Sequence, residues 1–165
     1  MYKADIESPI GRLTLASDGF ALTGLLLEGQ KYFASTMNQS SIIKPSLPVF
    51  EETKNWLNAY FDGVSLPPLP KLDPKGSQFR QNVWQLLSEI PYGETRTYGM
   101  LAQALREKGI PAAAQAVGGA VGHNPILIII PCHRVIGADG SLTGYAGGLD
   151  IKRRLLQLEG ISCIL

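Results

Sequence analysis

Cysteine is scarce in this chain: only Cys132 and Cys163 occur in 165 residues. Two thiols do not make a disulfide framework, which excludes a small stapled secreted scaffold. Histidine is equally scarce, with His123 and His133 alone. Neither residue type occurs before His123, and the four show no zinc-finger spacing, so no metal is expected. Long apolar runs are missing too; LIII at 127–130 has the length of a strand, not of a membrane span. No basic segment followed by an apolar core comes after Met1. The expectation is a soluble cytoplasmic protein without a membrane partner, whose thiols stay free rather than bridged.

Net charge is also lacking, at +1 overall. Residues 1–76 carry seven basic and eight acidic side chains, and residues 77–165 carry eight and six. The second part is mildly basic, a weak pointer to a polyanion. What the chain does have is apolar content, 45% against 18% charged, enough for a real core.

The first part reads as strands over 2–7, 11–17 and 20–28, with turns at Ser8-Pro9 and Asp18-Gly19. A helix over 49–61 aligns Val49, Thr53, Trp56, Leu57, Tyr60 and Phe61 on one face. VSLPPLPKLDPKG at 64–76 is a proline-rich linker, so the expected domains are 1–63 and 77–165. The second part reads as helices over 78–89, 98–108, 111–121 and 149–159, with Ser77 and Thr97 as caps and Pro111 in the first turn of the third. A strand at LIIIP and a hairpin-like GADGSLTG separate the last two. Two short helices, a strand and a small hairpin follow the order of a winged helix-turn-helix. PAAAQAVGGAV would then be the recognition helix, although such Ala/Gly composition equally suits a tightly packed core helix.

Chemistry concentrates in IIIPCHRVIG at 128–137. Cys132 follows Pro131, which ends strand pairing and lets the backbone turn. A thiol becomes a good nucleophile only as the thiolate, and His133 supplies a base within reach of one water. Glu159 either orients that imidazole or is an exposed helix end. Lys152-Arg153-Arg154 either meets phosphates or forms a solvated face.

IPYGETRTYG (90–99), AVGGAVGHNP (116–125), IIIPCHRVIG (128–137) and GSLTGYAGGLDIKRRLLQLEG (140–160) together resemble the O6-alkylguanine-DNA alkyltransferases. The match runs through nearly all of 77–160. The resemblance implies an N-terminal α/β domain with a small antiparallel sheet and a ribonuclease-H-like look. It implies a mainly α, winged helix-turn-helix domain after it. It implies irreversible, stoichiometric transfer of an alkyl group from O6-alkylguanine, less so O4-alkylthymine, to Cys132. The base would be flipped out of double-stranded DNA bound through the minor groove. Each molecule would act once, since an S-alkyl thioether has no hydrolytic route back to the thiol, and the protein would act as a monomer without a cofactor.

The same resemblance assigns His133 as base through water, Glu159 as its partner and Asn124 as a hinge. Tyr98 would lie by the flipped nucleotide and Tyr145 against the base. The Val135 carbonyl and the Ala146 N–H, with Gly147 beside it, would read the guanine edge. Thr97, Gln115, Ala116, Gly118, Gly119 and Arg134 would line the DNA. One departure stands out: Gln115 occupies the place where the family usually has an arginine that fills the gap left by the flipped base. Weaker, or differently balanced, DNA binding is expected from that. The competing expectations are a sensor of alkylated guanine that performs no transfer, and a cysteine hydrolase that turns over.

Overall fold

The computed structural model describes residues 1–31 and 40–162. It divides into two compact units, Met1–Lys75 and Gly76–Leu165. Cys163 lies outside the described residues. Among the described residues no helix is long and apolar enough to cross a membrane.

The first unit is built on strands β1 (Tyr2–Ser8), β2 (Gly11–Ser17), β3 (Leu22–Leu27) and β4 (Ile42–Ile43), in the order β3-β2-β1-β4. β1 and β2 form an antiparallel hairpin closed at Ser8↔Gly11. β2 and β3 are antiparallel as well, with an irregularity at Ala16/Ser17. β4 pairs in parallel with β1, Tyr2 against Ile42, which makes the sheet mixed where the turn signals showed only the three-stranded meander. A two-residue strand has no periodicity to read.

Every residue of β3 is buried although it is the last strand of that order, since the chain around Leu72 runs along its outer edge at Leu22. Helix α1 (Pro48–Asp62) starts on a proline at its first position and ends at Gly63 in the left-handed conformation. Its buried face is Val49, Phe50, Thr53, Trp56, Leu57 and Tyr60; Phe61 is only half-buried. Trp56 stacks on Tyr60 with ring centroids 5.5 Å apart. The proline-rich stretch is not loose: Leu22 and residues 71–73 exchange two backbone hydrogen bonds of 2.8 Å.

The second unit runs α2 (Gln78–Ser88), β5 (Arg96–Thr97), α3 (Tyr98–Glu107), α4 (Ala114–Gly122), β6 (Val135–Ile136) and α5 (Leu149–Leu158). Ser77 caps α2 and Thr97 caps α3, each side-chain oxygen accepting from a backbone N–H. Val83, Trp84, Leu87, Leu101, Leu105, Val117 and Ala120 form the core of the bundle. The Trp84 indole donates to the Ala120 carbonyl at 2.9 Å and so fastens α4 to α2.

Gly76 makes that position of Trp84 available. A Cβ there would lie 2.4 Å from the indole Cη2. A rigid, hydrogen-bonded ring cannot step aside, so Gly76→Ala is expected to lower stability by about 1–3 kcal/mol through overpacking. Urea unfolding followed by Trp fluorescence measures it; an unchanged midpoint would show that the indole has room.

Three expectations need correction. α4 begins at Ala114, not at 111: Pro111 and its neighbours lie outside any helix, and the cap is Ala113, with extended backbone. The LIIIP run is not a strand. Ile126 to Ile130 fold into a buried turn in which the Ile130 N–H donates back to the Ile126 carbonyl at 3.1 Å. GADGSLTG does not form a paired hairpin; it closes a tight turn, with the Gly137 N–H on the Ser141 carbonyl at 2.9 Å. β6 pairs instead in parallel with β5, Arg96 against Val135.

Candidate functional site

The site grows from the buried turn after α4. Ile128 sits at φ 70° in the left-handed region, a strained place for a β-branched residue. Asn124 holds the turn at both ends: its Oδ1 accepts from the Ile126 N–H at 3.0 Å and its Nδ2 donates to the Ile130 carbonyl at 2.7 Å. Beyond Pro131 the chain tightens into a 3₁₀ turn, Cys132–Arg134. Successive side chains therefore do not alternate as on a strand.

Cys132 is 4% exposed. Burial pushes its thiol up to about 11, against the opposing pull of a hydrogen bond to Asn124 and the charge of Lys152. At neutral pH the group is a thiol at rest. His133 is fully buried, and its Nε2 lies 2.5 Å from Glu159 Oε2. Burial drives the imidazole below its ordinary range, partly offset by the hydrogen bond and charge of Glu159. Burial alone would raise the Glu159 carboxyl; His133, then Arg134 and the Gly93 N–H, overcome it and hold the group at about 2. An ionised carboxylate accepts, so Nε2 carries the proton and Nδ1 presents a lone pair. Among the described residues Nδ1 makes no hydrogen bond. The pair is thus a neutral imidazole with its basic nitrogen uncommitted.

Glu159 is fastened from a second side. Arg134 Nε donates to its Oε1 at 2.8 Å, and the Gly93 N–H donates to the same oxygen at 3.0 Å. Arg134 Nη1 donates to the Ile90 carbonyl at 2.7 Å. Arg134 is 7% exposed. Its expected place on DNA is therefore corrected: the guanidinium is consumed behind the imidazole, bracing the carboxylate. Gly93 is required by its φ of 80°; a Cβ there would only touch the Glu159 carbonyl, at 3.4 Å.

The remaining candidates fall into two groups. Tyr98 is half-buried, its hydroxyl 3.4 Å from the Thr143 carbonyl and 3.3 Å from Thr143 Oγ1. Burial raises its phenol, which keeps it a donor. Tyr145, Ala146 and Gly147 lie half-buried in a turn closed by the Gly148 N–H on the Tyr145 carbonyl. Val135 follows Arg134 directly, and its carbonyl accepts from Lys152. The second group is the outer face of α4. Gln115, Ala116 and Gly119 are exposed and Gly118 is half-buried, while Val117, Ala120 and Val121 face inward. Thr97 spends its hydroxyl on the cap of α3.

Both readings open to Lys152 need correction, since it is neither on a solvated face nor free to meet a phosphate: it is fully buried. Helical spacing could have found it. Lys152, Leu155, Leu156 and Glu159 recur at i, i+3, i+4 and i+7 and are all buried, whereas Ile151 is half-buried and Leu158 is 38% exposed.

Comparison with known proteins bears on both units. The sequence model of the 6-O-methylguanine DNA methyltransferase DNA-binding domain matches residues 78–161. That of the ribonuclease-like domain of the same proteins matches residues 1–67. A methylated-DNA–protein-cysteine methyltransferase of Mycobacterium tuberculosis is 51% identical over 154 residues, covering 93% of this chain and 89% of the relative. One from Methanosarcina acetivorans is 49% identical, covering 99% of this chain and 100% of the relative. The crystal structure of Mycobacterium tuberculosis OGT in complex with DNA superposes with a TM-score of 0.84 at 47% identity, covering 96% of this chain and 92% of that one.

Proposed function

The chain belongs to the 6-O-methylguanine DNA methyltransferase family, and from that premise we propose that Cys132 is the acceptor of its alkyl transfer. Its activity is DNA repair by moving an alkyl group from methylated DNA to a protein cysteine. The observation that carries the residue assignment is the buried His133–Glu159 hydrogen bond, which leaves Nδ1 as an uncommitted base on the residue that follows Cys132.

In this reading a water passes the thiol proton to Nδ1 as sulfur attacks the alkyl carbon. The S–C bond forms while the bond from that carbon to O6 breaks. Guanine leaves as an anion spread over O6 and N1 and takes up the proton that the thiol released. Tyr98, a protonated phenol, is a donor to the base. Tyr145 packs against it, and the Ala146–Gly147 backbone and the Val135 carbonyl read its edge. Asn124 keeps the thiol-bearing turn in register with α4. The target must leave the stack, because the thiol lies in a buried turn that a paired base cannot enter.

The outer face of α4 supports binding in a narrow groove. A Cβ at Gly119 or at Gly122 would meet nothing within 4 Å, so neither glycine is needed for internal packing. Small residues let the helix backbone approach the DNA closely. Gln115 would fill the space of the flipped nucleotide without adding charge. An acceptor that must stay a thiol suits the reducing cytoplasm, and the protein would act there as a monomer.

An oligonucleotide carrying radiolabelled O6-methylguanine tests the assignment. Label should move to the peptide containing Cys132 and stop at one equivalent per protein. Binding without transfer would leave a sensor, and repeated turnover would leave a hydrolase. A separate prediction concerns the helix face. Gly119→Leu should weaken DNA binding at least about tenfold, or ~1.4 kcal/mol, with no loss of thermal stability. Fluorescence anisotropy at fixed salt reads it; unchanged affinity would place α4 away from the DNA.

A further inference from the structure

Lys152 projects from α5 into the interior, where its ammonium donates to three backbone carbonyls: Val135 at 2.5 Å, Thr143 at 2.7 Å and Gly144 at 3.2 Å. An ammonium has three N–H donors, enough to serve all three carbonyls. Burying a cation costs several kcal/mol of lost hydration, a cost that an apolar side chain on this stripe would not carry. The carbonyls it joins belong to different walls of the site. Val135 directly follows the turn of Cys132 and His133. Thr143 and Gly144 lead into the loop of Tyr145, Ala146 and Gly147, and Thr143 also meets the Tyr98 hydroxyl. One nitrogen therefore ties the thiol-bearing segment to the segment assigned to the base. Its charge also opposes the effect of burial on the thiol.

We infer that Lys152 is a positioning residue for alkyl transfer, holding the 143–147 loop in register with the strand after Cys132 while its charge favours the thiolate as sulfur attacks. The inference rests on Cys132 being the acceptor. Among the described residues, the ionisable groups around the thiol are Tyr98 from α3, Lys152 from α5 and His133 on the same turn, with Arg134 and Glu159 behind the imidazole. Of these, Lys152 joins both walls directly.

The test is the rate of methyl transfer from O6-methylguanine DNA as a function of pH, for the parent, Lys152→Met and Lys152→Arg. Lys152→Met removes charge and donors; it should be about a hundredfold slower, with the pH midpoint raised by about one unit. Lys152→Arg keeps the charge, but a planar fork cannot meet three carbonyls around one nitrogen; it should be about tenfold slower at the parent midpoint. A parent-like rate and midpoint for Lys152→Met would overturn the inference, as would equal slowing of both variants with no midpoint shift, which describes packing alone. If circular dichroism shows Lys152→Met unfolded, Lys152→Arg decides, and a parent-like rate for it overturns the inference. Failure of the parent itself to transfer would sink the acceptor assignment instead, so the two failures are distinguishable.

Discussion

Cys132→Ala should abolish transfer from O6-methylguanine DNA while leaving the protein folded and its affinity for the lesion close to that of the parent. The alkyl group ends on sulfur, and no neighbouring group replaces it: a neutral imidazole is a far weaker nucleophile than a thiolate, and Tyr98 remains a neutral phenol. Thermodynamically the change is small. Removing one buried atom of this size costs about 1 kcal/mol, and the backbone of the turn is held by Asn124, not by the thiol. Electrophoretic shift and label transfer on one preparation separate the two effects. Loss of binding together with transfer would make the thiol a structural group and remove it from the acceptor role.

Glu159→Ala should have the largest effect on stability, a loss of about 3–5 kcal/mol, the cost of breaking a buried ion pair from one side. Three donors lose their acceptor at once: His133 Nε2, Arg134 Nε and the Gly93 N–H. Glu159→Gln keeps the shape but not the charge, so His133 loses the partner that fixes its tautomer, and transfer should fall about a hundredfold or more.

The same carboxylate gives the fold an acid dependence with a defined sign. A carboxyl held at about 2 in the folded chain, below the ordinary 4.5, stabilises fully above the ordinary range, and that contribution is lost as pH falls toward 2. His133, held below its ordinary range, acts in the same direction: it favours the fold while neutral and opposes it as acid charges the ring. Stability should therefore decline on acidification through both ranges. In Glu159→Gln the part between about 4.5 and 2 should flatten. Urea unfolding at stepped pH reads it, and an unaltered slope below pH 4.5 would mean that the carboxylate is not held by its neighbours.

Much of the second unit was legible because its signals are local. Ser77 and Thr97 announce helix starts through side-chain oxygens that satisfy N–H groups a turn away, and both cap the helices expected of them. The isoleucine run was not legible, because a short apolar stretch reads the same whether it is a strand or a buried turn. What decides between them is Asn124, whose amide spans residues 126 and 130, together with the left-handed Ile128. Composition marks neither. Arg134 and Lys152 were misplaced for one reason. Charge is assigned to the surface unless a partner is known, and their partners are Glu159 and carbonyls between 8 and 44 residues away. The pairing of His133 with Glu159, 26 residues apart, was one of two readings open to Glu159, and family resemblance chose between them; nothing in the spacing itself joins them.

The bare outer face of α4 has a consequence for the order of folding. Glycines at 118, 119 and 122 each weaken a helix by about 1 kcal/mol relative to alanine, and α4 has no side-chain cap at its start. A nine-residue segment of this kind has little helicity of its own. It takes shape when Val117, Ala120 and Val121 dock and when the Trp84 indole engages the Ala120 carbonyl. The surface assigned to the groove thus exists only after its neighbours have assembled. A nascent or partly unfolded chain presents no competent reading helix, so occupancy of DNA by this protein is a report that the thiol-bearing turn behind that helix is already built.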